Sequence, residues 1–228
     1  MLAAVKPGEA IGLTHERLYV QPCDVSEPGD VDRLFARAVE TLGEIDLFLA
    51  NAGFAYYEKL GEADWRHISR IFNTNAVSVM YAAQKLKDLC GDRPFRFVTT
   101  ASAMAILPLP GYALYSATKA SVRAFAHAYR SELGTDQHFQ VVYPIATRTA
   151  FFKEAGGSPV PWPSQRAETV AGAIVRGIKR GRKSIYPSRT FVWTMSADRI
   201  LPFVFGLYGR MEDRRFQNWL KGKGRKTK

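Results

Sequence analysis

Three side chains in the middle of the chain, Ser102, Tyr115 and Lys119, have types and spacing that suit acid–base chemistry. Tyr115 and Lys119 are four residues apart, so in a helix their side chains lie one turn apart on the same face. An ammonium group in that position favours the phenolate and is expected to lower the pKa of the phenol. With the Ser102 hydroxyl beside it, such a tyrosine would be able to give and accept a proton.

The same tyrosine–lysine spacing occurs at Tyr81 and Lys85 in an ordinary amphipathic pattern, so the spacing alone is not diagnostic. The two pairs differ in the residue thirteen positions before the tyrosine, which is Ile68 for this second pair and Ser102 for the first. Ser102 follows the run 95–100, whose aromatic and β-branched residues predict a strand. A serine leaving that strand and a tyrosine opening the next helix would both face a crevice at the carboxyl ends of a parallel sheet.

The elements that must position these side chains alternate between apolar, strand-like runs and amphipathic helical patterns. Ser26 is a suitable N-cap for the first helical pattern, and Gly43 is a suitable C-terminal stop. The alternation indicates a parallel sheet with helices on both faces, and 228 residues with 46% hydrophobic content suffice for one core. Strands are expected at 18–20, 45–50, 95–101, 139–143 and 184–186, and helices at 26–43, 64–90, 112–134 and 166–180.

Composition limits the remaining chemistry. The two cysteines, Cys23 and Cys90, have apolar or strand-like surroundings, which favours buried, reduced thiols and a cytoplasmic location. The four histidines are scattered and lack metal-ligand spacing, so no metal site is expected. Residues 1–8 contain no long apolar stretch, and neither a signal peptide nor a spanning helix is expected to begin the chain.

The positive charge is concentrated at the C-terminal end. Residues 176–228 contain 15 of the 32 Lys and Arg residues but 3 of the 21 Asp and Glu residues. The apolar run 200–208 precedes the most basic residues, an order that suits a membrane interface, although the run is too short to span a bilayer. A packing or dimer segment followed by a solvated charge run is the alternative interpretation. Nucleic-acid binding is not expected, because no basic face is evident outside this end.

Several motifs, in the right order, resemble those of the short-chain dehydrogenase/reductase family. Asp24 resembles the acidic turn that follows the family's third strand and contacts the adenine ring. The Asn51-Ala52-Gly53 segment matches the turn after the fourth strand, and Thr149 matches the threonine that binds the nicotinamide amide after the sixth. The resemblance implies NAD or NADP as the cofactor. The residues that it assigns to cofactor binding are Asp24, Asn51, Ala52, Gly53, Tyr115, Lys119 and Thr149.

The resemblance also implies a catalytic set for hydride transfer between a nicotinamide and a carbonyl or alcohol substrate. Tyr115 would give its proton to the developing alkoxide in reduction, or accept one in oxidation, while Ser102 donates a hydrogen bond to the same oxygen. Lys119 would bind the nicotinamide ribose and keep the pKa of the phenol low. The fourth member is an asparagine that holds a water of a proton relay, for which Asn75 is favoured over the neighbouring Asn73.

The chain departs from the family pattern in two places. No glycine-rich fingerprint precedes Asp24, so the resemblance implies a Rossmann-like doubly wound parallel sheet that lacks the family's first two strands. Because those strands normally lie between the third and the fourth, their loss would leave a gap of roughly 14 Å. The strand at 18–20 would then slide next to the strand at 45–50 or stay unpaired; the third expectation is a start codon assigned too late. Ile145 stands where the family usually has glycine and would crowd the nicotinamide side of the cleft.

Two functional hypotheses follow. The first is an oxidoreductase whose domain spans 1–189, followed by an apolar and then basic extension at 190–228; the aromatic stretch 150–163 favours a partly apolar substrate. The choice between NAD and NADP stays open, because the residue that reads the ribose 2′ position follows the family's second strand. The alternative is a non-catalytic truncated protein that binds a partner or a membrane interface. A homo-oligomer and peripheral membrane contact through the C-terminal end are the further partners considered.

Overall fold

The computed structural model describes residues 2–5, 17–201 and 203–224, which contain eight strands and eight α-helices. The strands are β1 (Leu2–Val5), β2 (Tyr19–Pro22), β3 (Leu47–Ala50), β4 (Phe95–Thr100), β5 (Gln137–Val142), β6 (Ala146–Arg148), β7 (Ser164–Arg166) and β8 (Ser184–Ile185). The helices are α1 (Pro28–Leu42), α2 (Trp65–Phe72), α3 (Ser78–Cys90), α4 (Ala113–Tyr129), α5 (Phe151–Glu154), α6 (Ala167–Lys179), α7 (Arg189–Ile200) and α8 (Val204–Gly224).

Four parallel strands in the order β3-β4-β5-β8 form the central sheet. Helices cover both faces of its middle strands: Phe97 packs into the cluster that α1, α3 and α4 share, whereas Val98 on the opposite face packs against Ile174 and Ile178 of α6. β4 and β5 are buried along nearly their whole length, although their sequences FRFVTT and QHFQVV also contain polar residues. The arrangement confirms the predicted α/β Rossmann-like class.

The segment predicted as a strand at 18–20 forms β2, which lies outside the central sheet. β2 pairs in parallel with β1, so its backbone groups find a partner that the sequence did not indicate. Both arrangements expected for this segment are therefore wrong, because it neither joins β3 nor remains unpaired. Among the described residues β3 pairs with β4 alone, and the Leu47 and Leu49 side chains are exposed.

Helix α1 begins slightly later than predicted. Ser26 is not its N-cap, because the Ser26 hydroxyl donates to Asp24 Oδ1 at 2.7 Å. The helix begins instead at Pro28, whose fixed φ suits the first turn of a helix and whose missing N–H needs no partner there. Gly43 ends the helix as predicted, with a positive φ of 78°.

The helix predicted over 64–90 is confirmed as one helical segment, in which the π turn Asn73–Val77 joins α2 to α3. The Asp64 side chain caps it by accepting hydrogen bonds from two backbone N–H groups. On α3, the Tyr81 hydroxyl and the Lys85 ammonium both contact the Asp32 carboxylate of α1, at 2.7 and 2.6 Å. The second tyrosine–lysine pair therefore joins two helices at the surface.

The C-terminal helix α8 packs its inner face against the domain. The Phe216 and Trp219 rings contact Tyr57, with ring centroids 5.2 and 4.7 Å apart, and Phe216 belongs to the buried cluster that contains Tyr115. The segment expected as an extension at 190–228 thus includes a helix that completes this cluster.

Both cysteines are buried free thiols, as predicted, and burial raises the pKa of Cys23 to about 11. None of the helices within the described ranges is long and apolar enough to cross a bilayer.

Candidate active site

Tyr115 lies in the first turn of α4 with its side chain buried among aromatic rings. Its ring centroid is 5.5 Å from that of Phe151 and 6.2 Å from that of Tyr112. Burial raises the pKa of Tyr115 to about 12, and a hydrogen bond with Ser102 opposes part of that rise. The phenol therefore carries its proton throughout the neutral range.

Lys119 follows one turn later on the same helix face, and its side chain is 4% exposed. Its Nζ donates to the Thr100 carbonyl at 2.9 Å and lies 5.7 Å from the centroid of the Tyr115 ring. Burial lowers the pKa of Lys119 to about 8, so the ammonium is still mostly protonated at neutral pH. The expectation that Lys119 holds the pKa of Tyr115 low is wrong for this structure, because desolvation dominates both groups.

Ser102 stands just beyond the carboxyl end of β4, where it caps a short 3₁₀ turn. Its extended backbone and its Oγ, which accepts a hydrogen bond from the Met104 N–H at 3.1 Å, fix the hydroxyl beside Tyr115. At the same sheet edge the Thr100 hydroxyl donates to Asn51 Oδ1 at 2.8 Å. The ends of β3 and β4 thus contribute adjacent polar groups, as expected for neighbouring parallel strands.

Asn75 is fully buried in the π turn, whereas Asn73 is exposed. The Asn75 amide binds the backbone of Phe54 twice, accepting from its N–H at 3.0 Å and donating to its carbonyl at 2.8 Å. It also donates to the Thr118 hydroxyl at 3.2 Å. One side chain therefore joins the turn after β3 to the π turn and to α4.

The turn after β3 approaches these groups so closely that it needs a glycine. A Cβ on Gly53 would lie 3.1 Å from Asn75 Oδ1 and 3.2 Å from Lys119 Nζ. Beyond this turn lies a cleft of about 260 Å³, open at the carboxyl ends of β4 and β5. Six of the residues expected from the sequence line it: Asn51, Gly53, Ser102, Tyr115, Lys119 and Thr149.

The opposite wall of the cleft is largely apolar. Ile145, Phe151 and Phe152 line it, so the β-branched side chain that stands in place of the family's usual glycine faces the cleft. The Thr149 Oγ1 accepts a hydrogen bond from the Phe151 N–H at 3.4 Å, at the start of α5. The lining of the cleft therefore combines apolar side chains with the polar groups of Lys119, Ser102 and Thr149. Such a lining suits a flat ring with polar substituents that is attached to a ribose.

Asp24 and Ala52 are not among the residues that line the cleft. The Asp24 carboxylate accepts hydrogen bonds from the backbone and hydroxyl of Ser26, in the turn that leads from β2 to α1. This turn belongs to the two-stranded sheet and not to the central one. The cleft therefore lies at the central sheet, whereas Asp24 lies in a separate element.

Sequence reasoning missed a second set of buried groups around Tyr115. The Tyr112 hydroxyl donates to Ser158 Oγ at 2.7 Å, and the Tyr112 ring packs at a tilt against that of Tyr57, with the two centroids 4.7 Å apart. Gly111 has a positive φ of 81° and lies against the Tyr57 ring, which is why no side chain fits there. The only available signal was the glycine–tyrosine pair just before α4, because its partners are distant in sequence.

No group of three or more histidine, cysteine or acidic side chains suited to a metal occurs within residues 17–201 and 203–222. The polar side chains gathered at the cleft include a buried phenol, a buried hydroxyl and a buried ammonium, those of Tyr115, Ser102 and Lys119.

Comparisons of the sequence with a family model and with individual known proteins agree with one another. A family model described as enoyl-(acyl carrier protein) reductase matches residues 8–176. A tetrahydroxynaphthalene reductase from Pestalotiopsis fici is 27% identical over 60% of this chain and 50% of its own length. A 3-ketodihydrosphingosine reductase from Dictyostelium discoideum is 26% identical over 87% of this chain and 64% of its own length. The chain thus spans between half and two-thirds of these relatives.

Comparison with solved structures leads to the same family. A short-chain dehydrogenase from Burkholderia cenocepacia, solved in complex with NADP, superimposes with a TM-score of 0.74 at 20% identity, covering 89% of this chain and 84% of that one. The family match extends over most of the chain and includes every residue that lines the cleft. The chain belongs to the short-chain dehydrogenase/reductase family.

Proposed function

We propose that this chain is an NAD(P)-dependent oxidoreductase that transfers a hydride between a nicotinamide and a carbonyl or alcohol substrate. The observation that carries the proposal is a buried cation beside a buried phenol at one cleft. In the part of the chain that the structure describes, Lys119 has no carboxylate partner, and burial alone accounts for its lowered pKa. Buried lysines without a partner are rare, and strongly perturbed groups in a cleft are typical of functional sites.

The proposed roles follow from the contacts of each side chain. A bound reduced nicotinamide would supply the hydride, and its oxidised form would accept one. Tyr115 keeps its proton until negative charge develops on the substrate oxygen, because its pKa is raised to about 12. Ser102 donates a hydrogen bond to that oxygen, and the Lys119 ammonium would bind the nicotinamide ribose.

We assign the remaining expected residues to binding and proton supply. Asn51, Gly53, Lys119 and Thr149 would hold the nicotinamide ribose and amide, and Asn75 would hold the turn and a relay water. Asp24 and Ala52 are proposed for the adenosine half of NAD or NADP. Both relatives described above are named reductases, which favours carbonyl reduction as the direction.

The first test measures cofactor binding and turnover separately. Titration of the purified chain with NADH and NADPH, followed by nicotinamide fluorescence, should give saturable binding with one of them. Tyr115→Phe should retain that binding and abolish carbonyl reduction. Tyr81→Phe removes the other tyrosine of the same spacing and should keep wild-type turnover. Unchanged reduction in Tyr115→Phe would disprove the catalytic assignment.

The alternative function is a non-catalytic module that binds a partner or a membrane interface. It is favoured by exposed apolar side chains on α7 and α8, of which Trp193 is 73% exposed and Ile200 78%. We propose that the protein is cytoplasmic and that this end makes peripheral contact with a membrane. We also propose that the protein is a homo-oligomer, and light scattering measures the oligomeric state. Vesicle binding together with a complete lack of cofactor binding and turnover would support the non-catalytic function over the oxidoreductase.

A further inference from the structure

Large apolar side chains are concentrated where α7 ends and α8 begins. Trp193 and Ile200 are seven residues apart on α7 and share one helix face, and Phe203 and Leu207 follow four residues apart. All four are more than half exposed. We call these four residues the apolar corner. The bend between the helices is fixed, because the Phe205 N–H donates to Asp198 Oδ1 at 2.8 Å.

The two helices that form the apolar corner also carry exposed cations. Arg189 and Arg199 on α7 and Arg210 and Arg214 on α8 are all exposed. The three acidic residues on these helices are engaged within the protein: Asp198 accepts the Phe205 N–H, the buried Glu212 pairs with Arg215, and the exposed Asp213 accepts from Gln217 at 3.3 Å. Apolar side chains on helices that also carry exposed arginines match the acyl boundary and the phosphate layer of an anionic bilayer.

Tyr208 connects the apolar corner to the chain segment that follows the cleft wall. The Tyr208 hydroxyl, one residue after Leu207, donates to the Trp162 carbonyl at 2.9 Å, and the Trp162 side chain is 69% exposed. Trp162 belongs to the segment that begins with Phe152 on the cleft wall. Tyr208 also packs against the same buried cluster as Tyr115.

We propose that the apolar corner binds an anionic bilayer and that the substrate is a lipid-like carbonyl compound which reaches Tyr115 from that bilayer. The inference rests on the proposed function, because it names the substrate class of the same cleft. In this proposal the carbonyl lies at Tyr115 and Ser102, and the hydrocarbon chain extends from Phe151 and Phe152 toward the exposed Trp162. Apolar side chains at both places would keep the hydrocarbon chain out of water.

Vesicle binding tests the surface. The full chain should co-sediment with phosphatidylcholine vesicles that contain phosphatidylserine, and more weakly with phosphatidylcholine alone or at high salt. The double variant Trp193→Ser, Phe203→Ser should partition at least about tenfold more weakly, because it loses two exposed aromatic anchors. The matched control is Trp65→Ser, which removes an equally exposed tryptophan from α2 and should bind like the wild type.

Two results would overturn the surface assignment. One is unchanged vesicle binding by the double variant. The other is a change in its mass by light scattering without a change in vesicle binding, which would identify the apolar corner as a contact between copies of the chain.

The substrate class is tested with short-chain and long-chain methyl ketones. Wild-type kcat/KM should be higher for the long-chain ketone in anionic vesicles, and the double variant should lose that advantage but retain its rate on the water-soluble short ketone. Equal kcat/KM for both ketones, or equal loss on both in the double variant, would disprove the inference.

A binding measurement separates this inference from the proposed function. A dansyl-labelled long-chain ketone should bind the wild-type chain, and Phe152→Asp, which puts a charge on the cleft wall, should abolish its binding. If the labelled ketone binds but neither turnover nor cofactor binding occurs, the proposed function is disproved and the lipid-like ligand class stands. If short ketones are turned over but the labelled ketone does not bind, the lipid-like substrate class is disproved and the proposed function stands.

Discussion

The Tyr112 hydroxyl donates to Ser158 Oγ at 2.7 Å, and this buried hydrogen bond joins the start of α4 to the segment that follows α5. Tyr112 is the residue immediately before α4, three positions from Tyr115. Ser158 in turn donates from its backbone N–H to the Phe152 carbonyl in α5, at 3.0 Å. This hydroxyl pair is therefore one of the contacts that hold Phe152 in the apolar wall relative to Tyr115.

The first prediction concerns this pair. Tyr112→Phe and Ser158→Ala should each lower the free energy of unfolding by about 1 to 2 kcal/mol, because each leaves a buried polar group without its partner. The double variant should lose less than the sum, with a coupling energy of about 1 kcal/mol from urea unfolding. The exposed Tyr81 hydroxyl, which binds Asp32, gives the control: Tyr81→Phe should change stability by less than about 0.5 kcal/mol.

The same variants separate a positioning role from a purely structural one. If the bond positions the wall, kcat/KM for a bulky apolar ketone should fall more in Tyr112→Phe than that for a small ketone. An equal fall for both ketones would contradict the positioning role, although the stability change would stand.

The second prediction concerns the turn after β3. Gly53→Ala should weaken cofactor binding, since its Cβ would meet Asn75 Oδ1 at 3.1 Å and Lys119 Nζ at 3.2 Å and force both to move. We expect at least about a tenfold loss in affinity for the preferred nicotinamide, equal to about 1.4 kcal/mol. Gly61→Ala is the matched control, because nothing lies within 4 Å of its Cβ. Equal affinities for Gly53→Ala and the wild type would show that the close approach is not required.

Much of this site follows from sequence periodicity and motif order. The strand before Ser102 and the helix containing Tyr115 and Lys119 were predictable, because parallel strands and helices alternate and each has its own apolar period. Contacts between distant segments were not. The Tyr112–Ser158 bond spans 46 residues, and the partner of β2 is a strand that no pattern indicated.

The direction in which the pKa of Tyr115 shifts was also not predictable from the sequence. Residue spacing shows that a cation lies nearby, but the extent of burial depends on tertiary packing. Phe151, Tyr112 and α8 enclose the phenol, so desolvation outweighs the effect of Lys119. Local charge patterns therefore identified the participating groups but gave the wrong sign for one of them.

The third prediction is a contribution of Lys119 to stability that grows at alkaline pH. The pKa of Lys119 is lowered from 10.5 to about 8 in the folded chain, so between these values the unfolded chain binds more of this proton than the folded one. By linkage, Lys119 should raise the free energy of unfolding across this window, by at most about 3 kcal/mol. Two raised pKa values act in the opposite direction: that of Cys23, from 9.0 to about 11, lowers stability from pH 9 upward, and that of Tyr115, from 10 to about 12, does so from pH 10 upward.

Urea unfolding of wild type and Lys119→Met at several pH values checks this prediction. The variant keeps a side chain of similar length but has no group to titrate, so its stability should lack the rise that Lys119 contributes. Parallel profiles for the two proteins between pH 8 and 10.5 would contradict the lowered pKa.

The fourth prediction separates the two ways in which a side chain at Gly111 would lower stability, backbone strain and steric overlap. Gly111 combines a positive φ of 81° with a close contact. A Cβ there would lie 2.4 Å from Tyr57 Cε2 and 2.9 Å from Phe216 Cδ2, so the aromatic rings that join α8 to the site would have to move. Gly43 has a similar φ of 78° but nothing within 4 Å of its Cβ. Gly43→Ala should therefore report backbone strain alone, about 1 kcal/mol, whereas Gly111→Ala should lose about 3 kcal/mol or more. Chemical unfolding measures both, and equal losses would mean that α8 yields to the added methyl without resistance.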